Sequence, residues 1–217
     1  MPIPHKIHHV WTSGDQFKFP KLLRTWKDWH PGYAFNLWTC EEAINVVCDK
    51  AKKILQNEKA FFILKSEVIR HEVLRLFGGL YVDTDMECLK PFDDLLDKND
   101  SFVGYESPDG NIGNSIMACT KNNPVFMASS RFVIDTISQN LSACNARPVH
   151  TIGEQSRKLQ RILARCETIY PYTLFYPFNC MQPEKRGDEF KYAMAKHHWH
   201  CKDDDGWMNK HKEFIGE

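Results

Sequence analysis

Two adjacent glycines, Gly78-Gly79, separate a long helical pattern from a short apolar strand, and few folds accommodate that junction. From Phe61 to Phe77, Leu64, Val68, Leu74 and Phe77 recur near one helical face, with Ser66, Glu67, Arg70 and His71 interleaved. Glycine ends a helix readily because it tolerates the left-handed backbone of a C-terminal cap. Leu80-Tyr81-Val82 then forms a fully apolar strand, and Asp83-Thr84-Asp85 lies at its C-terminal edge. Helices and strands alternate along the chain, which predicts an α/β class with a largely parallel sheet flanked by helices. Ligands in such sheets sit at the C-terminal ends of strands.

The remaining pattern fits that class. Ile7 to Trp11 is β-rich and ends at Thr12-Ser13-Gly14-Asp15, so Trp11 falls at a strand end. Pro20 to Trp29 carries Leu22, Leu23, Trp26 and Trp29 at helical spacing. Tyr33 to Trp38 predicts a second strand, and Thr39 with Glu42 fits a capping box opening a helix to about Ile54. Further strands are expected at Phe102–Tyr105, Ile116–Cys119, 169–171, 174–177 and 193–199, with helices at Pro124–Asn140 and 152–165. Residues 108–114 are expected to form a flexible loop, and Asp203-Asp204-Asp205-Gly206 an acidic turn. No repeat or linker divides the 217 residues, which predicts a single domain.

Composition narrows the function classes. Lys+Arg and Asp+Glu are both 28, so the electrostatic signature of a general nucleic-acid binder is missing. The longest apolar runs, such as Ala60 to Leu64, fall far short of the roughly 20 residues a membrane helix needs. Met1 to Lys6 carries no apolar signal core. A cytoplasmic location is therefore expected, with no membrane span and no nucleic-acid partner. The eight cysteines form no Cys-x-x-Cys pair and are expected to be thiols acting as small buried hydrophobes.

Asp83-x-Asp85 carries the chemistry. Two carboxylates one residue apart at a strand end can converge on one hard divalent cation, which prefers oxygen ligands. Such a cation neutralises a diphosphate leaving group as a Lewis acid. Ser66 and Arg70 share a face of the preceding helix, and an arginine fork suits phosphate or sugar hydroxyls. Arg70 could equally pair with Glu67. Asn111, Asn114 and Ser115 could reach a sugar or serve a turn. Glu154 and Gln155 could cap a helix or contact the sugar. His5, His8 and His9 are expected to be strand residues with one buried face. In His197-His198-Trp199-His200-Cys201, adjacent side chains of a strand face opposite ways, so His197 and His198 compete for one inward role.

Lys65-Ser66-Glu67-x-x-Arg70, Gly78-Gly79-Leu80-Tyr81-Val82-Asp83-Thr84-Asp85 and Ile3-Pro4-His5-Lys6-Ile7-His8-His9-Val10-Trp11 together resemble the signature of DXD sugar transferases. The nearest group is glycosyltransferase family 32, with its mannosyltransferases and capsular-polysaccharide enzymes. The Ser–Arg–Asp-x-Asp spacing is also similar to that of the large clostridial glucosylating toxins. The resemblance covers residues 3–96 best. It implies a GT-A fold in one domain, residues 1–217, with a nucleotide-sugar-binding part of about 1–100 and an acceptor side of about 101–217. It implies transfer of a hexose from a UDP- or GDP-sugar to a glycan, glycoprotein or glycolipid acceptor, with Mn2+ or Mg2+ and retention of configuration.

Residue by residue, the resemblance implies a donor site of Val10, Trp11, Thr12, Ser66, Glu67, Arg70, Tyr81, Asp83, Asn114 and Glu154, with Trp11 stacking on the base. Asp83, Asp85 and Arg70 would be catalytic. Asp85 would bind the cation directly, with Asp83 and a late histidine, His197 or His198, completing its shell. Glu67 stands where the family usually has Asp. Two other readings compete. One is a non-catalytic nucleotide-sugar or carbohydrate-binding module. The other is a haloacid-dehalogenase-like phosphatase, whose Asp-x-Asp normally lies near the chain start and precedes Gly-Thr, whereas Met86-Glu87 follow here.

Overall fold

A computed structural model describes residues 2–14, 16–146, 149 and 153–199. Its main sheet has six strands in the order β2-β1-β3-β6-β5-β7. They are β1 (Lys6–Val10), β2 (Ala34–Trp38), β3 (Gly79–Val82), β5 (Ser101–Tyr105), β6 (Ile112–Cys119) and β7 (Thr168–Tyr170). The β1–β2, β1–β3 and β5–β7 pairs are parallel, while β6 is antiparallel to both β3 and β5. Among these strands only β6 runs against the rest, so the sheet is mostly parallel. A second sheet pairs β4 (Met86–Cys88) antiparallel with β8 (Ala195–His197).

Strand alternation divides the core. Leu80 and Val82 of β3, with Ile116 and Ala118 of β6, pack on one face with Trp26, Phe92 and Phe175. Tyr81, Met117 and Cys119 face the other way, into the layer of Val68, Val73, Phe126 and Leu159. That second layer consists of α2 (Cys40–Ala43), α3 (Asp49–Leu55), α4 (Phe62–Phe77), α6 (Pro124–Gln139), α7 (Leu141–Ala146) and α8 (Gly153–Leu163). On the opposite face lie α1 (Pro20–Trp29), α5 (Asp93–Lys98) and α9 (Tyr172–Phe175).

Helix α1 fixes the position of β4. Pro20 opens it, and Leu22 and Trp26 are buried one helical turn apart. Trp26 is fully buried and donates its indole N–H to the Met86 carbonyl at 2.9 Å. Thr25 Oγ1 accepts the Cys88 N–H at 2.9 Å. Truncating such a tryptophan costs about 3–5 kcal/mol.

Helix α4 is buried nearly all round, not along a single stripe. Glu67, Arg70, His71 and Glu72 are all buried beside its apolar residues. Buried charges persist only when paired. Glu72 accepts from Arg75 at 2.7 Å, from the Ser130 hydroxyl at 2.5 Å and from the Cys48 N–H at 3.2 Å. The last bond explains a departure from expectation. Thr39 and Glu42 form the capping box, but the helix it opens stops at Ala43, and Glu72 satisfies the start of a separate helix at Asp49.

Gly78 donates its N–H to the Leu74 carbonyl at 2.9 Å and turns left-handed, with φ 63°. Gly79 follows with φ 103°, and a Cβ there would stand 2.6 Å from the Lys6 carbonyl oxygen. Only glycine allows α4 to drop directly into β3 against β1.

Three expectations need correction. Residues 112–115 belong to β6 and not to a loop, because their backbone ladder with β5 continues through a bulge. Residues 174–177 do not form a strand, since Pro171, with φ −63°, opens the short helix α9. His8 and His9 are both fully buried, because β1 is a central strand covered on both faces. The helix expected at 152–165 is described from Gly153, and Ile152, His200, Cys201 and the acidic turn lie outside the described residues. Among those described, the cysteines are free thiols and four of them, Cys88, Cys119, Cys144 and Cys166, are buried. No described helix is long and apolar enough to cross a membrane.

Candidate active site

The site forms where β3 leaves the sheet. Asp83 N–H donates to the Ser115 carbonyl at 2.8 Å, so β6 holds the first carboxylate. Asp85 is buried in the turn before β4, and the Asp85 carbonyl accepts the His198 N–H at 3.0 Å. This bond extends the β4–β8 pairing and brings His197 to the carboxylates, with His197 Nε2 3.0 Å from Asp85 Oδ1. One ligand atom each from Asp83, Asp85 and His197 lies within 4.8 Å of the others.

Arg70 reaches the same cluster from α4. Its Nη1 lies 3.2 Å from Asp83 Oδ1 and donates to the Asn114 carbonyl at 2.9 Å. Nη2 donates to Ser66 Oγ at 3.2 Å. The guanidinium carbon stands 4.8 Å from the centre of the Tyr81 ring, and the Tyr81 hydroxyl donates to Asp83 Oδ1. Burial works against the Arg70 charge, but Asp83, Tyr81 and Glu67 outweigh it and hold its pKa above the usual arginine range. Burial likewise pushes the Tyr81 phenol well up, so it remains a proton donor to Asp83.

His197 experiences the same opposition. Burial lowers its basicity, yet Asp85, with Asp83 and Glu106, raises its pKa above the ordinary value. Its Nδ1 is buried and finds no hydrogen-bond partner among the described residues. Trp199 and Tyr176 pack against the ring at 4.2 and 6.0 Å between centroids. Two carboxylates and one imidazole are a donor set suited to Mn2+ or Mg2+. The close approach of His197 Nε2 to Asp85 Oδ1 fits a cation held between the two side chains.

His198 is not part of this group. It is fully buried, and its Nε2 lies 2.9 Å from Glu87 Oε2. The strand alternation that turns His197 inward turns His198 away, so of the two competing histidines the structure brings only His197 to the carboxylates. Glu87 and Lys196, which the sequence did not single out, meet at 3.2 Å on that far side. Burial opposes ionisation of Glu87, but His198 and Lys196 keep its carboxyl below the usual range.

The other residues expected at a donor site are less tightly grouped. Val10 is buried at the end of β1. Trp11 is partly exposed and flanked edge-on by Phe17 and Phe19, at 5.3 and 5.9 Å. Thr12 Oγ1 donates to the Phe62 carbonyl at 2.7 Å and ties this segment to the start of α4. Glu67 is fully buried, does not pair with Arg70 through a hydrogen bond, and accepts the Val149 N–H at 2.9 Å. Asn114 contributes its carbonyl to Arg70, while its side-chain amide nitrogen is buried with no partner among the described residues. Glu154 is exposed on α8 and pairs with Lys158 at 2.9 Å, so the structure does not bring it to the cluster.

Residues 17–102 match the model of the glycosyltransferase sugar-binding region containing the DXD motif. Over these residues the chain is similar to the DXD glycosyltransferases. Among curated relatives, inositol phosphoceramide mannosyltransferase 3 of Schizosaccharomyces pombe is 29% identical over 128 residues, covering 58% of this chain and 35% of that protein. Inositol phosphoceramide mannosyltransferase 2 of the same organism is 30% identical over 147 residues, covering 64% and 39%. The chain thus spans well under half the length of these relatives. Among solved structures, PaToxG glycosyltransferase superposes with a TM-score of 0.52 at 18% identity, covering 76% of this chain and 70% of that one. The fold is accordingly the GT-A arrangement.

Proposed function

We propose that this chain is a metal-dependent hexosyltransferase that moves a sugar from a nucleotide diphosphate donor to a glycan or glycolipid hydroxyl. The convergence of Asp83, Asp85 and His197 beside the buried Arg70 carries this reading. A divalent cation held by those three residues supplies Lewis-acid neutralisation of the departing diphosphate. Arg70 adds a fixed positive charge that Tyr81, Ser66 and Asn114 hold in place before substrate arrives. Preorganised charge of this kind is often the largest catalytic contribution. Trp11 offers an aromatic face for the base at the end of β1. Residues up to about 100 bind the donor, and the remainder carries the acceptor side and returns His197 to the donor.

The named activities of the relatives favour a mannosyl donor, and the family resemblance favours retention of configuration. The phosphatase alternative is disfavoured by the sequence around the pair, since Met86-Glu87 and not Gly-Thr follow Asp85 and more than eighty residues precede it. The test is nucleotide release from a panel of UDP- and GDP-sugars, with and without Mn2+, beside Asp85→Ala. Cation-dependent release from one donor, lost in the variant, is the expected result. Binding of nucleotide sugar with neither transfer nor slow hydrolysis would instead make the chain a binding module.

A further inference from the structure

Behind the candidate cation site lies a second group of charged side chains to which the reaction assigns no role. Glu87 Oε2 takes Lys196 Nζ at 3.2 Å and His198 Nε2 at 2.9 Å. Lys196 Nζ also donates to the Arg186 carbonyl at 2.9 Å. Arg186 returns with Nε to the His198 carbonyl at 2.6 Å and Nη2 to the Trp199 carbonyl at 3.3 Å. Lys196, Arg186 and His198 are all buried. Stability does not require such a group, since apolar residues of similar volume commonly serve a core as well or better.

Its placement suggests what it does. β4 and β8 have three residues each, too few to define their own pairing. Glu87 stands directly opposite Lys196 in the ladder, and Met86 opposite His197. A slip of one residue turns every side chain of a strand to the other face. Such a slip would withdraw His197 from Asp85 and present Lys196 or His198 in its place. Glu87 binds the residues immediately before and after His197, and Arg186 binds the carbonyls of the two residues that follow it.

We infer that Glu87 and Lys196 are positioning residues for the cation site, fixing the β4–β8 register so that the His197 imidazole meets Asp83 and Asp85. The inference rests on the cation reading above. Groups that orient metal ligands typically change metal affinity by 10- to 100-fold when removed.

The experiment is Mn2+ binding to the full chain, followed by loss of the free-ion electron paramagnetic resonance signal, with thermal melting in parallel. Glu87→Gln and Lys196→Met are each expected to weaken Mn2+ by about 10-fold or more. Charge acting through space predicts otherwise: removing a nearby cation in Lys196→Met would tighten Mn2+. Tighter or unchanged binding in Lys196→Met, whatever its melting temperature, overturns the inference. If Glu87→Gln does not fold, Lys196→Met decides alone, because it keeps the aliphatic stem and the Glu87–His198 bond. Asp85→Ala and His197→Ala separate the two layers of the argument. Mn2+ binding unaffected by either would sink the cation reading itself. Loss in both, with parental binding in Lys196→Met, would sink only the positioning role.

Discussion

Arg70 and the Tyr81 hydroxyl meet on one oxygen of Asp83, Oδ1, while Oδ2 takes no hydrogen bond among the described residues. The carboxylate is thus gripped from the side of the helix and presents its other oxygen elsewhere. A lysine at position 70 is a point charge and cannot serve Asp83, Ser66 and the Asn114 carbonyl together. Arg70→Lys is therefore expected to fold and to lose about 100- to 1,000-fold in kcat, the usual effect of removing one preorganised donor. Arg70→Ala would leave Asp83 without its charge partner and is expected to cost about 3–5 kcal/mol in urea denaturation. Parental kcat in Arg70→Lys would remove Arg70 from the mechanism.

Chelation offers a second check. Treatment with EDTA is expected to abolish nucleotide release, and added Mn2+ to restore it. A ligand at 100 times its Kd stabilises a fold by about 2.7 kcal/mol. Saturating Mn2+ should accordingly raise the melting temperature of the parent chain and leave that of His197→Ala almost unmoved. An equal rise in both would place the cation elsewhere.

Acid should unfold this protein through its buried histidines. His8 Nε2–H donates to the Gly78 carbonyl at 2.9 Å, while its Nδ1 accepts the Trp38 indole N–H at 3.0 Å. Protonation of Nδ1 would break the second bond. Burial, only partly opposed by the bond to Gly78, lowers the His8 pKa to about 4. Burial also lowers His9 to about 3, despite its bond to Val82. The unfolded chain takes up these protons near pH 6.5 and the folded one only near 4 and 3, so stability falls as pH drops below 6.5. Each histidine costs about 1.4 kcal/mol per pH unit in that window. A urea midpoint unchanged between pH 7 and pH 5 would contradict this assignment.

Gly79→Ala tests the junction between helix and strand. The new methyl would meet the Lys6 carbonyl oxygen at 2.6 Å on a backbone with φ 103°. Alanine at positive φ destabilises by more than about 1 kcal/mol even where there is room. The variant is expected to lose several-fold more than that, read as a shifted denaturation midpoint. Gly110→Ala, which also has positive φ but nothing within 4 Å, should lose only the smaller amount. Equal losses would show that crowding against β1 contributes nothing.

The sequence disclosed the parts of the site that are close together along the chain. Ser66, Arg70, Tyr81, Asp83 and Asp85 belong to one helix–glycine–strand unit, where spacing alone puts them at one strand end. The choice between His197 and His198 was not legible there, because it depends on the register with β4, a pairing between residues more than 100 positions apart. Glu87 gave no signal for a similar reason. A glutamate in a three-residue strand resembles a solvated position until Lys196 and His198 close over it. Glu154 pairs with Lys158 on α8, and an acidic residue in the first turn of a helix needs no ligand to explain it.

The span from Asp85 to His197 also sets a clock. The two residues are 112 positions apart, yet each needs the other to finish one cluster. Ribosomes add about 5–20 residues per second, so the acidic half waits on the order of 6–20 seconds for its imidazole. Until then the nascent chain carries its whole DXD region, residues 17–102, without His197. The cluster is complete only once β8 docks on β4, and a cation held there would report that two segments 112 positions apart have found each other.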